Sequence, residues 1–421
     1  ATFRSLAVPN YRRYAGGSLV SNTGTWMGRV GQDWLVLTQL TDHSATALGT
    51  VTGLQFAPFL LLAPWSGALA DRYPKRVIML VTQAVMMAAA LVLGVLTVGG
   101  WVRLWEVDVA AAVTGIAAAI DAPARQSFVS EIVDAELVSN AVALNSASFN
   151  SGRIVGPAVA GLVIARWDTG VAMLLNAASF LVVIAALLAL DRSALHPAPP
   201  SRGRGGILEG VRYVRGRRDL QRVLLLVFVL GTFGMNFQIT TALMASVEFH
   251  QGPKEFGLLG SVMAVGSLAA ALLSARRPRA RTRTFLLALV GFVASSGLAA
   301  LAPTYPLFAL ALLPVGLSAL TAMTTANALV QLGTEPGMRG RVMALYMAIF
   351  FGGTPVGAPL IGWLGDLAGP RWTIGVGSLA VALALAGVAE QLRRHDRMRV
   401  SLDVRTRPVV RVEFGLPEEA R

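Results

Sequence analysis

The 421-residue chain contains no cysteine and only four histidines. The absence of cysteine excludes disulfide bonds and cysteine-ligated metal sites within the chain. The histidines show no metal-ligand spacing and fall in predicted loops or at the ends of predicted helices; they are His43, His196, His250 and His395. We therefore predict no metal site.

Charged residues are also scarce, at 14% of the chain, whereas about a quarter of the residues in a soluble domain are charged. Hydrophobic residues make up 54%, and apolar runs of about 20 residues recur along nearly the whole length. Each run is long enough to cross a bilayer as a helix. We therefore predict an all-α integral membrane protein.

Sequence motifs for enzymatic chemistry are absent as well. The chain has no phosphate-binding loop of the form G-x-x-x-x-G-K-[ST], so hydrolysis of a nucleotide by such a loop is not expected. No nucleophile, base and orienting group occur together in one motif. We predict that the protein is not an enzyme and needs no cofactor.

The apolar runs divide into twelve predicted spans. They cover residues 15–40, 47–70, 77–98, 105–122, 137–165, 170–190, 221–247, 256–275, 284–302, 305–330, 342–368 and 371–390. This division gives a six-helix bundle at 1–190, a linker at 191–220, a second six-helix bundle at 221–390 and a polar tail of unknown role at 391–421.

The net charge of +13 is distributed as membrane topology requires. With the N-terminus inside, only a few basic residues avoid the cytoplasmic side: Arg103, Arg166, Lys254 and Arg371 lie outside, and Arg29 and Arg153 lie within spans. We therefore expect no nucleic-acid partner. The pattern predicts a bacterial-type inner-membrane protein with both termini in the cytoplasm, and residues 1–14 show no cleavable signal pattern.

The linker begins with a loop rich in proline and glycine and continues with apolar residues at helical spacing. These residues are Ile207, Leu208, Val211 and Val214, with arginines on the opposite face. The pattern predicts an amphipathic helix on the cytoplasmic membrane surface.

Two charged residues lie four positions apart in the first span, Arg29 and Asp33. They share one helix face, and ionisable side chains inside a membrane normally face the bundle interior or a wet cavity. We predict that Asp33 carries the coupling proton and that Arg29 modulates it; a static ion pair that only aligns helices is the alternative. Arg153 in the fifth span needs an anionic or polar partner, for which Asp33 is the candidate. Glu106 and Asp108 near the outer end of the fourth span are secondary candidates for proton coupling; solvation at the membrane interface is the alternative.

The loop between the second and third spans reads G-A-L-A-D-R-Y-P-K-R over residues 67–76. Gly67 lets a neighbouring helix approach closely, and Pro74 cannot continue a helix. The pattern resembles the loop signature G-x-L-a-D-r-x-G-r-k of the major facilitator superfamily, with Pro74 in place of the second glycine. An ordinary positively charged cytoplasmic loop is the alternative.

The resemblance implies a conformational latch, in which the carboxylate of Asp71 docks on the start of the eleventh span and undocks again. Pro123 is predicted to end or kink the fourth span, which leaves Asp121 and Arg125 as possible partners of Asp71; a capped helix end is the alternative. The predicted latch comprises Gly67, Asp71, Arg72, Lys75, Arg76, Asp121, Arg125 and Arg341.

The fifth span has a face of small residues and a kink, formed by Gly152, Gly156, Pro157 and Gly161. It resembles the fifth-span signature of facilitator antiporters, G-x-x-x-G-P-x-x-G-G, which that family associates with exporters. The eleventh span repeats the pattern at a constant offset of 201, so that the three glycines correspond to Gly353, Gly357 and Gly362. The repeat predicts two parallel, pseudo-symmetric six-helix halves.

Polar and aromatic side chains of both halves are candidates for substrate contact. The predicted midplane cavity is lined by Gln32, Asn145, Asn150, Asn236, Gln238, Asn327, Tyr346 and Phe350. Methionines cluster in the second half and would adapt to varied apolar ligands; ordinary helix packing is the alternative.

Motifs between residues 3 and 400 together resemble the enterobactin-exporter-like branch of the superfamily, which also holds multidrug exporters. The resemblance implies a monomeric transporter that exports small amphipathic molecules in exchange for protons. A proton symporter or facilitator that imports a nutrient is the alternative.

Overall fold

The computed structural model describes residues 3–196, 207–275, 280–335, 337–396, 399–402 and 410–413. Part of the predicted linker (197–206) and most of the predicted tail lie outside the described residues. Within the described part, long helices account for almost all of the regular structure.

Six long helices form the N-terminal half. They are α1 (Pro9–Leu35), α2 (Ala45–Arg72), α3 (Lys75–Val98), α4 (Leu104–Ile132), α5 (Val138–Arg166) and α6 (Thr169–Leu188). A π-helical turn, Val36–Leu40, extends α1. Side-chain caps start two of the helices: Ser44 accepts a hydrogen bond from the backbone N–H of Ala47, and Asp168 accepts one from that of Thr169.

The second half follows the short linker helix α7 (Ile207–Arg215). Its helices are α8 (Arg218–Val229), α9 (Phe237–Leu243), α10 (Pro253–Ala275), α11 (Thr282–Ala300), α12 (Tyr305–Gly333), α13 (Arg339–Gly352), α14 (Thr354–Ala368) and α15 (Pro370–Asp396). The π-helical turns Leu230–Gly234 and Met244–Glu248 join α8 and α9 into the predicted seventh span, and α13 and α14 together form the eleventh. Two short antiparallel strands, β1 (Arg399–Leu402) and β2 (Val410–Glu413), follow α15, with Arg399 opposite Glu413.

Ten helical segments of the described residues are long and apolar enough to cross a membrane. The prediction of an all-α membrane protein is therefore confirmed. The two other predicted spans, α1 and α5, contain 27 and 29 residues and carry charged or amide side chains along their lengths. The count of twelve stays a prediction.

Two ends of the molecule can be distinguished from the contacts between chain segments. At one end, Ser5 bonds to Asn140 in the first turn of α5, and the Asn10 side chain bonds to the backbone of Asp191 after α6. We call this the linker end, because the start of α1, the end of α6 and the linker that follows it lie there. The opposite end, which carries the loops before α2, α4, α6, α10 and α12, is called the far end.

Helices α1, α5 and α6 pack together within the N-terminal half, as do α2, α3 and α4. In the second half, α12 packs against α10 and α11, and α15 packs against α11. The two halves meet chiefly where α2 contacts α14 and α5 contacts α10. One apolar core runs through both halves, whereas a separate core at the linker end belongs to the N-terminal half alone and includes Tyr11, Tyr14 and Phe128.

Of the two effects predicted for Pro123, an end of the helix or a kink, the first is wrong. Helix α4 continues to Ile132 with Pro123 inside it. Membrane-protein helices tolerate proline because neighbouring helices and hydroxyl side chains satisfy freed backbone groups. The carbonyl oxygen that loses its N–H partner to Pro123 is that of Ala119, whereas the Ser127 hydroxyl donates to the carbonyl oxygen of Pro123 itself at 2.7 Å.

Helix α15 continues to Asp396, but its stretch that is long and apolar enough to cross a membrane is Pro370–Gln391, in agreement with the predicted end of the twelfth span at 390. The linker helix α7 packs against α13, with Val214 buried and Gly210 against the backbone of Arg341. One face of α7 is therefore covered by protein, and its predicted position on the cytoplasmic membrane surface stays a prediction.

Candidate functional site: a cleft between the halves and a charged core beside it

Close packing at glycines joins α5 to α1 within the N-terminal half and joins α5 to α10 of the other half at the far end. Gly152 and Gly156 of α5 lie against α1: a Cβ on Gly152 would be 2.9 Å from the Asn22 Cβ, and one on Gly156 would be 2.6 Å from the Trp26 Cβ. Gly161 lies against α10, where a Cβ would be 2.6 Å from the carbonyl oxygen of Pro253. These distances leave no room for a larger side chain.

The repeated glycines of α14 make equivalent contacts in the second half. Gly353 and Gly357 lie against Thr232 of the seventh span, and Gly362 lies against the backbone of Ala45 at the start of α2. The offset of 201 therefore corresponds to matching packing: the first two glycines face the first span of their own half, and the third faces the other half.

Asp366 adds a polar contact between the halves at the far end. Its carboxylate accepts hydrogen bonds from the backbone N–H groups of Ala45 at 2.6 Å and Thr46 at 2.9 Å, and from the Ser44 hydroxyl at 3.2 Å. An acid at the end of α14 thus caps the N-terminus of α2, where a negative charge is favourable.

A cleft of about 610 Å³ lies between the halves toward the linker end. The N-terminal half contributes Phe59, Ser66, Gly67, Ala119, Ala122, Pro123 and Gln126. The second half contributes Met323, Thr324, Asn327, Ala344, Tyr346, Met347, Ala348, Phe350 and Phe351. Among the described residues that line it, none carries a charge, so the cleft suits an amphipathic molecule of moderate size.

Aromatic rings connect the cleft to the core of the N-terminal half. Phe59 stacks on Phe351 of the other half with ring centroids 5.4 Å apart, and Phe351 contacts Phe350 at 4.9 Å. On the other side, Phe59 contacts Phe56 at 6.1 Å. The guanidinium carbon of Arg29 lies 5.7 Å from the centre of the Phe56 ring.

The charged residues of α1 and α5 surround Trp26 and do not form the predicted ion pairs. The guanidinium carbons of Arg29 and Arg153 lie 5.1 and 5.8 Å from the Trp26 ring centre. Asp33 is only 5% exposed, and no described residue bonds to its Oδ2 atom. The predicted pairing of Arg153 with Asp33 is therefore wrong for this conformation, because both arginines use aromatic faces as partners.

The two acids of α4 occupy different environments. Glu106 accepts a hydrogen bond from the backbone N–H of Arg103 at 2.6 Å, which caps the start of α4. Its carboxylate therefore has a structural partner and is poorly suited to carry a proton. The Oδ1 atom of Asp108 is buried, and no hydrogen-bond partner for it is found among the described residues.

The loop residues 67–76 hold the N-terminal half together in this conformation. Lys75 pairs with Glu131 of α4, and Arg76 donates to the carbonyl oxygens of Leu187 at 2.7 Å and Leu188 at 3.2 Å, at the end of α6. The basic side chains thus tie α3 to its neighbours within one half.

Residues 71–74 of the loop are exposed, Asp71 and Arg72 among them. The space that a Cβ on Gly67 would occupy is open and faces the cleft. The expected approach of another helix to Gly67 is therefore absent here, because the halves are separated at the linker end.

Asp121 and Arg125 belong to a buried network within the N-terminal half. The Asp121 carboxylate accepts hydrogen bonds from Arg125 at 2.7 Å, Thr82 at 2.7 Å and Gln83 at 3.2 Å. The side chain of Asp71 takes no part in these bonds. The suggested relay from Asp71 to this pair is not formed in this conformation.

Arg341, the predicted latch residue at the start of α13, has a carboxylate partner from the linker. Its Nη1 atom lies 2.7 Å from Glu209 of α7. The linker helix thus binds the end of the eleventh span at which Asp71 was predicted to dock.

The predicted substrate residues divide into three groups. Asn327, Tyr346 and Phe350 line the cleft, and Gln32 lines a smaller cavity inside the N-terminal half. Asn150 and Asn236 donate to carbonyl oxygens of Ser146 and Thr232 in their own helical segments. Neither Asn145 nor Gln238 is among the described residues that line these two cavities.

Sequence reasoning missed Asp366, Phe59 and Phe351. Asp366 follows a glycine near the end of an apolar span and belongs to no recognisable motif. Phe59 and Phe351 belong to apolar runs, where phenylalanine usually indicates helix packing. The internal repeat at an offset of 201 predicted which glycines correspond in the two halves, but it did not predict the positions of these three side chains.

A family model for transmembrane secretion effectors matches residues 1–415. The chain belongs to this family of major facilitator transporters. It is therefore a multi-pass membrane transporter of the bacterial facilitator type, as the predicted resemblance implied.

Three relatives illustrate the range of this family. The chain is 29% identical over 395 residues to the multidrug efflux pump Tap of Mycobacterium tuberculosis and 25% identical over 394 residues to the enterobactin exporter EntS of Citrobacter koseri, covering 87% of this chain and 89% of each relative. It is 25% identical over 250 residues to the staphyloferrin A transporter of Staphylococcus aureus, covering 59% of this chain. That match spans 62% of the relative, which is less than two thirds of its length.

Solved structures show the same fold at low identity. The nucleoside transporter NupG aligns with a TM-score of 0.72 at 11% identity, covering 90% of this chain and 99% of NupG. A bacterial homologue of the human lysosomal transporter Spinster, in an inward-facing and occupied conformation, aligns with a TM-score of 0.70 at 13% identity, covering 93% of this chain and 97% of the homologue. Both alignments support the facilitator fold.

Proposed function

We propose that this facilitator exports small amphipathic molecules across a bacterial inner membrane in exchange for protons, by alternating access between its two halves. The observation that carries the proposal is the uncharged, aromatic cleft between the halves, which is open at one end while glycine packing closes the other. The names of the relatives Tap and EntS, an efflux pump and an exporter, support the outward direction.

The linker end is assigned to the cytoplasm, because basic residues concentrate there. Both described ends of the chain then lie in the cytoplasm. In this orientation the cleft is accessible from inside the cell, where an exporter loads its substrate.

Asp33 is the proposed proton carrier. Burying a charged carboxylate without a hydrogen-bond partner costs much more free energy than burying the neutral acid. The protonated side chain can therefore move between environments more easily than the charged one. One proton that enters down a potential of about 100 mV contributes roughly 2.3 kcal/mol. At about 1.4 kcal/mol per tenfold ratio, this supports a substrate gradient of about fiftyfold.

Inverted membrane vesicles test this proposal. An acid interior is generated and followed with a pH-sensitive dye, and ethidium or a catecholate siderophore is then added outside. We expect one of these probes to release the interior acid, because each exporter cycle exchanges substrate for a proton. Acid release that is identical in vesicles lacking the protein would contradict the proposal, and proton movement in the same direction as the substrate would favour the importing symporter.

The variants Asp33→Asn and Asp42→Asn supply a matched comparison. Asp42 is an exposed acid in the loop before α2, so its conversion to an amide makes the same chemical change outside the core. We expect Asp33→Asn to abolish substrate-dependent acid release and Asp42→Asn to preserve it.

A further inference from the structure

A small cavity of about 70 Å³ lies inside the N-terminal half, apart from the large cleft. Helices α1, α2, α3, α4 and α6 surround it. A single water needs about 10–15 Å³ of such space, so the cavity can hold a group of several atoms. No carboxylate lines it within the part of the chain that the structure describes.

The polar lining of this cavity consists of hydrogen-bond donors that suit an anion. It includes the guanidinium of Arg29 and the amides of Gln32, Gln55 and Asn176. Gln55 is only 8% exposed. A planar guanidinium with neighbouring amide N–H groups is the usual protein partner of a carboxylate or phenolate oxygen.

Arg29 is short of polar partners in this conformation. Its Nε atom is fully buried and has no hydrogen-bond partner among the described residues. The faces of Trp26 and Phe56 attract its positive charge, but ring faces do not accept its N–H groups as strongly as an oxyanion does. A buried donor in this state gains free energy when an acceptor enters.

The cavity and the proposed substrate path share one lining side chain. Phe59 lines both the small cavity and the large cleft, so it lies between them. Its ring stacks on Phe351 of the other half, which ties its position to the arrangement of the two halves. Rotation of the Phe59 ring would let a molecule in the cleft place one polar group in the cavity while its apolar body stays against the other rings.

We propose that the cavity beside Arg29 is a subsite for an anionic group of the substrate, a carboxylate or phenolate carried on an aromatic or amphipathic body. The inference rests on the proposed function and narrows its substrate class to organic anions. Arg29 is then a substrate-binding residue, and the amides of Gln32 and Gln55 add donors that fix the position of the anionic group.

Equilibrium binding of a matched pair of probes tests the subsite. Salicylate and salicylamide have the same ring and nearly the same shape, but only salicylate is anionic. Their binding to the purified full-length protein is measured by calorimetry. We expect salicylate to bind about tenfold more tightly, because only the anion makes a charge-assisted contact with Arg29. Equal affinity for the two probes would overturn the proposal.

Variants assign the preference to the cavity. Arg29→Gln should abolish the preference for salicylate, and Arg29→Lys should retain part of it. Arg166→Gln is the matched control, because that arginine lies 5.6 Å from a tryptophan ring at the far end, outside the cavity, and should leave the preference unchanged. If Arg29→Gln cannot be purified, Gln55→Met keeps the volume and removes one amide donor, and it should weaken salicylate binding alone. If salicylate binding were unchanged in Arg29→Gln, or in Gln55→Met where that variant is measured instead, the assignment of the anion preference to this cavity would be contradicted.

A competition experiment with chloride tests whether the subsite binds organic anions or free inorganic anions. Salicylate binding is repeated with sulfate or chloride as the buffer anion at the same ionic strength. Similar affinity in both buffers supports a subsite for an organic anion, whereas strong competition by chloride would identify an inorganic anion site and overturn the proposal. Binding requires no proton gradient, so loss of exchange with intact salicylate binding contradicts the proposed function and leaves this inference standing.

Discussion

The contact of Asp366 with the start of α2 predicts how firmly the far end is closed. The substitution Asp366→Ala removes three hydrogen bonds that join the two halves. Loss of a helix N-cap costs about 0.5–2 kcal/mol. Because Asp366 is exposed, solvent screens its charge, and the electrostatic contribution does not raise the cost above that range. We expect a loss of about 1–2 kcal/mol, equivalent to a shift of about five- to thirtyfold toward conformations that are open at the far end.

The absence of native cysteine makes this shift measurable with spin labels on introduced cysteines. Trp101 and Leu301 are 70% and 77% exposed at the far end in the two halves, and Glu136 and Glu335 are exposed at the linker end. In Asp366→Ala we expect the far-end distances to lengthen and the linker-end distances to shorten in the same molecules. Asp366→Asn should give a smaller shift, because it retains one carbonyl acceptor.

The control for this experiment is Asp168→Ala. Asp168 also caps a helix at the far end, but its bonds to Thr169 and Gln39 stay within the N-terminal half. This variant should lower thermal stability without changing either distance distribution. Unchanged distances in Asp366→Ala would refute the reasoning, as would an equal change in both variants.

Three further substitutions test the packing and the loop residues. Gly357→Val places a methyl-bearing carbon against the carbonyl oxygen of Thr232 and should cost about 1–3 kcal/mol or more in a thermal unfolding assay, whereas Gly387→Val, in open space, should cost far less. Arg76→Met removes two bonds to the end of α6 and should destabilise the protein by about 2–3 kcal/mol, measured in the same assay. Asp71→Asn should leave the unfolding temperature unchanged, because the carboxylate is exposed, but should slow transport if it docks during the cycle.

The helices were largely predictable because the membrane imposes a minimum apolar length. The predicted third span, residues 77–98, differs from α3 only at its start, and the repeat at an offset of 201 anticipated which glycines pack closely. Pro123 misled the prediction because the breaking effect of proline is weaker inside a membrane protein. The local sequence could not reveal that hydroxyl and amide groups of neighbouring helices stabilise that region.

The candidate site was less predictable because it depends on partners that are distant in sequence. The spacing of Arg29 and Asp33 suggested an ion pair, but aromatic rings from α1 and α2 take the place of the carboxylate. Asp366 lies more than 300 residues from the helix that it caps. Such contacts follow from the way in which two halves meet, which periodicity within one helix does not report.

Transport in reconstituted vesicles with Asp33→Asn is the most direct test of the central claim that this carboxyl group couples protons to export. A substrate identified in the efflux assay is loaded on one side, and uphill movement is measured under an imposed acid gradient. The account predicts that the unmodified protein and Asp42→Asn concentrate the substrate, and that Asp33→Asn only equilibrates it. Uphill transport by Asp33→Asn at the rate of the unmodified protein would contradict the account.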